Sequence, residues 1–189
     1  MSISHLIAVG SFLLLAAAPA AADTLYEQGF ADTSPDDPPA GIRKSGGFGA
    51  GFIDLNTDNG GPMGYLDANG EEHPTESSLI VDTGVELEVG RPCRFSLRLH
   101  KTGTRSTDYV GDVLYEVYRG DPESGGAMLA SGTAAAGEAG ELALPFRATA
   151  PGHLFLRIHA GLPENTGGYS QVEFDDLLVE TTDTPAESG

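Results

Sequence analysis

From residue 24 to residue 180 the chain is a succession of short runs in which apolar and polar residues alternate, broken by Gly, Pro, Asn and Asp. Successive side chains of a strand point to opposite faces, so each run predicts a β-strand with one greasy and one wet face. Strands are expected over 24–30, 48–55, 78–89, 93–101, 110–119, 127–132, 141–147, 153–160 and 169–180. No stretch carries the apolar spacing of a helix. Turn residues are plentiful, with 26 Gly and 12 Pro, and the pattern predicts an all-β fold: a two-sheet antiparallel sandwich. Residues 31–47 and 56–77 are rich in Gly, Pro and Asp and read as long loops.

Two strands are especially legible. In "CRFSLRLHK", Phe95, Leu97 and Leu99 face one way, and Arg94, Ser96, Arg98 and His100 the other. In "HLFLRIHA", Leu154, Leu156 and Ile158 oppose Phe155, Arg157 and His159. If these strands share a sheet, their polar faces make one surface. The last run, "VEFDDLLVE", has a fault. Val172, Phe174, Asp176 and Leu178 fall on one face, and Glu173, Asp175, Leu177 and Val179 on the other, so either face buries a carboxylate. The face of Asp176 is the more apolar, which leaves Asp175 toward solvent.

The first 22 residues change the picture of where the protein works. Leu6 to Ala18 is an apolar run too short for a membrane span, and it ends in Ala20-Ala21-Ala22 before Asp23. Residues 1–22 therefore read as a signal peptide, although "MSISH" lacks the usual Lys or Arg. The expected product is a secreted or periplasmic monomer with one domain over 23–180, a disordered tail over 181–189 and no membrane span. The formal net charge of −18 argues against nucleic acid and anionic lipid as partners, since both need a basic patch. Cys93, the only cysteine, rules out an internal disulfide and reads as a small buried residue.

Chemistry enters through a resemblance. The opening "LYEQGFAD", the middle "VELEVGRPCRFSLRL" and the closing "VEFDDLLVE" together resemble the carbohydrate-binding modules of the galactose-binding-like jelly-roll fold. The resemblance spans about residues 25–180. It implies a jelly-roll topology, neighbouring first and last strands, and a structural calcium between them. Asp176 is then the leading ligand, joined by Glu27 or Asp32 or by backbone carbonyls; the family's Glu after Phe is Ala31 in this chain. A Ca²⁺ ion with six to eight oxygens offsets the cost of a buried carboxylate. The plainer alternative is a carboxylate paired with an Arg or capping a turn.

The resemblance also implies a polysaccharide or cell-surface glycan as partner and no catalysis. Sugar faces stack on rings while polar groups fix the hydroxyls. Tyr118, Arg98, His100, Arg157 and His159 are the expected constellation, with Tyr109 and Tyr169 at strand starts as a rim. Tyr115 and Tyr118 fall on opposite faces of their strand, so only one joins any surface. There is no Trp, which favours the other reading: a structural or adhesive sandwich that binds a protein or surface polymer. "DLNTDNGG", Asp54 to Gly61, has the Asp54, Asn56, Asp58 spacing of a calcium loop but lacks its closing Glu, and reads as an Asx-rich turn. No nucleophile elbow, zinc helix or cysteine pair suggests an enzyme.

Overall fold

A computed structural model describes residues 22–30, 39–46, 52–56, 61–69, 77–100, 112–135, 138–160 and 169–182. Within them the alternating runs build two antiparallel sheets, and the chain is all-β as predicted. The first sheet has the order β3 (Phe52–Asn56), β4 (Gly61–Asn69), β11 (Tyr169–Thr181), β6 (Pro92–Leu99), β9 (Gly140–Arg147). Strand β1 (Thr24–Gln28) pairs with the C-terminal part of β11, so first and last strands are neighbours. The second sheet has the order β2 (Ile42–Gly46), β5 (Ser77–Glu86), β10 (His153–Ala160), β7 (Val113–Arg119), β8 (Ala127–Ala134).

The two legible strands are placed in different sheets. Phe95, Leu97 and Leu99 of β6 and Leu154, Leu156 and Ile158 of β10 belong to one buried core between the layers. Cys93 joins that core as a free thiol, and burial pushes its pKa up. Strands β2 and β4 fall inside the segments read as loops. Neither has a clean alternation: β4 is "GPMGYLDAN" and β2 is "IRKSG". Both are strands because a neighbour supplies the ladder, β5 for β2 and the β3/β11 pair for β4. Asp54 and Asn56 lie in β3, which pairs Asn56 with Gly61; residues 57–60 between them lie outside the described residues.

A bulge settles which acid of "VEFDDLLVE" is buried: Glu173 is fully buried and Asp176 is exposed. The pairing of β11 to β6 slips between Asp175 and Leu178, and Asp176 adopts a left-handed backbone with φ 53°. One extra residue resets which side chains point inward. Phe174, Leu177 and Val179 are therefore all fully buried, though strict alternation would put Phe174 and Leu177 on opposite faces. The bulge falls where the outer neighbour of β11 changes from β4 to β1. Asp175 Oδ1 accepts hydrogen bonds from Asp176 N at 2.7 Å and Phe30 N at 3.4 Å, tying the bulge to the chain leaving β1.

Candidate functional site

The expected constellation divides between the two sheets. Arg157, His159 and Tyr118 point outward from the second sheet. Arg98 points outward from the first, and His100 follows the end of β6, held by a hydrogen bond from His100 N to the Glu173 carbonyl at 2.8 Å. The single surface expected from shared alternation does not form, because β6 and β10 face each other across the core. Tyr109 and Asp32 lie outside the described residues, and Tyr169 opens β11. Tyr115 and Tyr118 take opposite faces as expected: Tyr115 joins the inter-sheet core and Tyr118 the outer cluster.

On the outer face of the second sheet the polar groups bind one another. Arg157 Nε stands 2.5 Å from Glu116 Oε2, and the same oxygen accepts from the Tyr118 hydroxyl at 3.1 Å. The Arg157 guanidinium lies 5.4 Å from the Tyr118 ring centre, in cation–π range. Burial and the neighbouring Glu116 carboxylate push the Tyr118 phenol up. Tyr118, Phe155 and Ile80 form a small second apolar cluster, and His159 Nδ1 is 2.9 Å from Ser78 Oγ.

The turn between β7 and β8 folds back over this face. Its neck is pinched: a Cβ on Gly126 would meet the Gly120 carbonyl oxygen at 2.2 Å. Its head is a short 3-10 turn, Pro122–Ser124, capped by the Asp121 carboxylate. Arg43 of β2 reaches Asp121 at 2.5 Å and Glu123 at 3.1 Å, and the Ser45 hydroxyl also donates to Glu123. Strands β5 and β10 lie between β2 and β7, so this clamp passes above them. Tyr118 and Phe155 are each only 8% exposed although they face outward, which leaves little ring surface for stacking.

The clamp makes an acid-side prediction. Ser45 and Arg43 hold the Glu123 carboxyl below its usual range. A depressed carboxyl contributes above its unfolded value, about 4.3, and that contribution is lost as pH falls through the folded value. Amide-exchange protection of Ser124 and Gly126, both bonded to the Asp121 carbonyl, should drop as pH falls from neutral through the folded Glu123 value, which lies below the usual carboxyl range. In Arg43→Ala their protection should already be low at neutral pH. Equal protection factors across that range in the wild type would show that the clamp does not hold the turn.

The first sheet offers an open site instead. A cleft of about 330 Å³ crosses its outer face, with Glu27 from β1, Asp176 and Leu178 from β11, Ser96 and Arg98 from β6 and Glu141 from β9. Pairing sets them in rows: Glu27 opposite Leu178 and Leu178 opposite Ser96, then Arg98 opposite Glu141. Four adjacent strands span roughly 14 Å. Arg98 Nη1 lies 3.2 Å from Asp176 Oδ2, with the two side chains 60% and 50% exposed. Asp176 is thus not buried among apolar neighbours, as its face had suggested; the bulge turns it outward to an arginine. Glu141, Ser96 and Leu178 were not singled out from sequence. They come together only through β6–β9 and β6–β11 pairing, which no local pattern announces.

Among the described residues, no group of three or more His, Cys, Asp or Glu side chains is placed to hold a metal, and no helix is long and apolar enough to cross a membrane. No family model matches this chain, and no curated protein matches it. Solved structures do. The CBM22-1 and GH10 modules of the Clostridium thermocellum endo-1,4-β-D-xylanase 10B, complexed with xylohexaose, match with a TM-score of 0.55 at 15% identity, over 88% of this chain and 30% of that one. The CBM22-1 xylan-binding domain from Paenibacillus barcinonensis matches with a TM-score of 0.55 at 13% identity, over 88% of this chain and 99% of that one. A cleaved adhesin domain of Lys-gingipain from Porphyromonas gingivalis matches with a TM-score of 0.52 at 15% identity, over 86% and 99%. At these identities the likeness is one of fold: the chain has the jelly-roll sandwich of carbohydrate-binding modules.

Proposed function

We propose that this protein is a secreted, non-catalytic carbohydrate-binding sandwich whose site is the cleft across the first sheet. The observation that carries this reading is the cleft itself. Its charged groups are exposed and arranged across four strands around an apolar floor at Leu178, whereas the polar groups of the second sheet are used up in internal pairs. A guanidinium offers several donors and carboxylates accept from hydroxyl pairs, the equipment a polyol needs. Fold alone does not decide function, since an adhesin domain shares it. A glycan array tests the reading. The wild type should bind at least one polysaccharide class, Arg98→Ala should weaken that binding tenfold or more, and His159→Ala on the other sheet should leave it unchanged. Silence on plant, algal and bacterial polysaccharides would favour a structural or adhesive role, to which the absence of Trp also inclines.

The calcium implied by the resemblance does not suit Asp176, because a guanidinium 3.2 Å away repels a second cation. The other acid of the pair is Asp175, beside the chain leaving β1, where backbone carbonyls would have to complete the oxygen shell because the N–H groups of Phe30 and Asp176 already donate to Oδ1. With the ion bound there, millimolar Ca²⁺ should raise the melting temperature over EDTA by roughly 5–10 °C at a hundredfold excess over Kd. Asp175→Asn should erase that difference and Asp176→Ala should keep it. Superimposable melting curves in Ca²⁺ and EDTA would remove the metal from the protein.

A further inference from the structure

The geometry points to a cleft that selects sugar units carrying a free, protonated amino group; this inference rests on the carbohydrate reading above. Charge is the first observation. Glu27, Glu141 and Asp176 line the cleft with a single basic group, Arg98. Asp176 is answered by Arg98 at 3.2 Å, whereas Glu27 and Glu141, both exposed, pair with no basic group among the described residues. They stand on opposite sides of the cleft, Glu27 from β1 and Glu141 from β9, with β11 and β6 between them. Arg98 stands cross-strand from Glu141 but is paired with Asp176, and the chain as a whole carries a net charge of −18.

The second observation is independent of charge. Ser96 lies on the cleft floor between them, is only 5% exposed, and its hydroxyl makes no hydrogen bond among the described residues. That hydroxyl is not sealed in the interior but opens into the cleft, where a ligand hydroxyl can pair with it. The floor beside it is Leu178, and Arg98 stands one cross-strand row away.

Together these features ask for one kind of ligand. It carries hydroxyls for Ser96 and Arg98, an apolar ring face for Leu178, and positive charge for Glu27 and Glu141. A polymer of de-N-acetylated amino sugar has all of these. An acetylated one has lost its charge, and a uronate or sulfated polymer meets two uncompensated carboxylates. Like-charge juxtaposition of that kind is a strong device for rejecting wrong partners.

The test uses the whole protein and three hexasaccharides: fully deacetylated glucosamine hexamer, its fully N-acetylated form, and cellohexaose. Titration calorimetry at pH 5.5 and low salt should give the deacetylated hexamer a Kd at least tenfold lower than the other two. Glu27→Gln and Glu141→Gln should each weaken it about tenfold with little effect on cellohexaose. Asp112→Asn removes an equal charge at the start of β7, well away from the cleft, and should change it less than twofold. If the deacetylated and acetylated hexamers bind alike, or if Asp112→Asn costs as much as the cleft variants, the selectivity is wrong while carbohydrate binding stands. If a polysaccharide array and all three hexamers give no binding, the carbohydrate reading itself falls.

Discussion

Replacing Phe174 with alanine should destabilise the protein by about 3–5 kcal/mol, the largest loss expected from any single side chain. Phe174 is fully buried and lies two residues before the bulge in β11. Its ring meets Phe30 edge-on, with centroids 5.9 Å apart and an interplanar angle of 81°, a favourable aromatic geometry. Its backbone pairs with Gly64 on one side and Leu99 on the other. Gly64 leaves room for the ring, since a Cβ there would stand 2.4 Å from it. Truncation therefore opens a cavity where β1, β4, β6 and β11 converge, and such a junction has little freedom to collapse. Scaled by the usual few degrees per kcal/mol, the melting temperature should fall by roughly 10–15 °C. Gly64→Ala should also destabilise, by about 1–3 kcal/mol, because it forces the same ring off its seat. A loss below about 1 kcal/mol in Phe174→Ala, measured by urea unfolding, would mean that the bulge does not anchor the core.

Arg157→Ala should cost about 3 kcal/mol through a different mechanism. It leaves the Glu116 carboxylate, with its side chain 6% exposed, facing only the Tyr118 hydroxyl. Removing one partner of a buried ion pair strands the other charge, whereas replacing both with apolar residues of similar volume is near neutral. The double variant Glu116→Leu/Arg157→Met should therefore recover most of the stability. The exposed Arg98–Asp176 pair is the control, and Asp176→Asn should cost less than about 1 kcal/mol. These outcomes also separate roles for two arginines that look alike in sequence. Arg157 holds a sheet face together, and Arg98 is available to a ligand. Equal small losses in Arg157→Ala and Asp176→Asn would place both on the solvated surface.

Alternation along the chain was enough to identify the all-β class, the inward sets Phe95/Leu97/Leu99 and Leu154/Leu156/Ile158, the burial of Cys93 and the opposed faces of Tyr115 and Tyr118. Each of these is a local consequence of a period of two, which a strand obeys whatever it pairs with. Partner choice is not local. Alternation is the same whichever sheet a strand joins, so Arg98 and Arg157 carried identical signals and ended on opposite outer faces. Strands β2 and β4 have Gly, Pro and charge where a strand would show a pattern, and only the ladders offered by β5, β3 and β11 make them strands. The bulge at Asp176 and Leu177 breaks the period by a single residue, where β11 exchanges β4 for β1 as neighbour. That one residue turned Asp176 outward to Arg98 and brought Leu177 in beside Phe174. The cleft exists for the same reason: Glu27, Ser96, Glu141 and Asp176 are far apart along the chain, and cross-strand register alone sets them side by side.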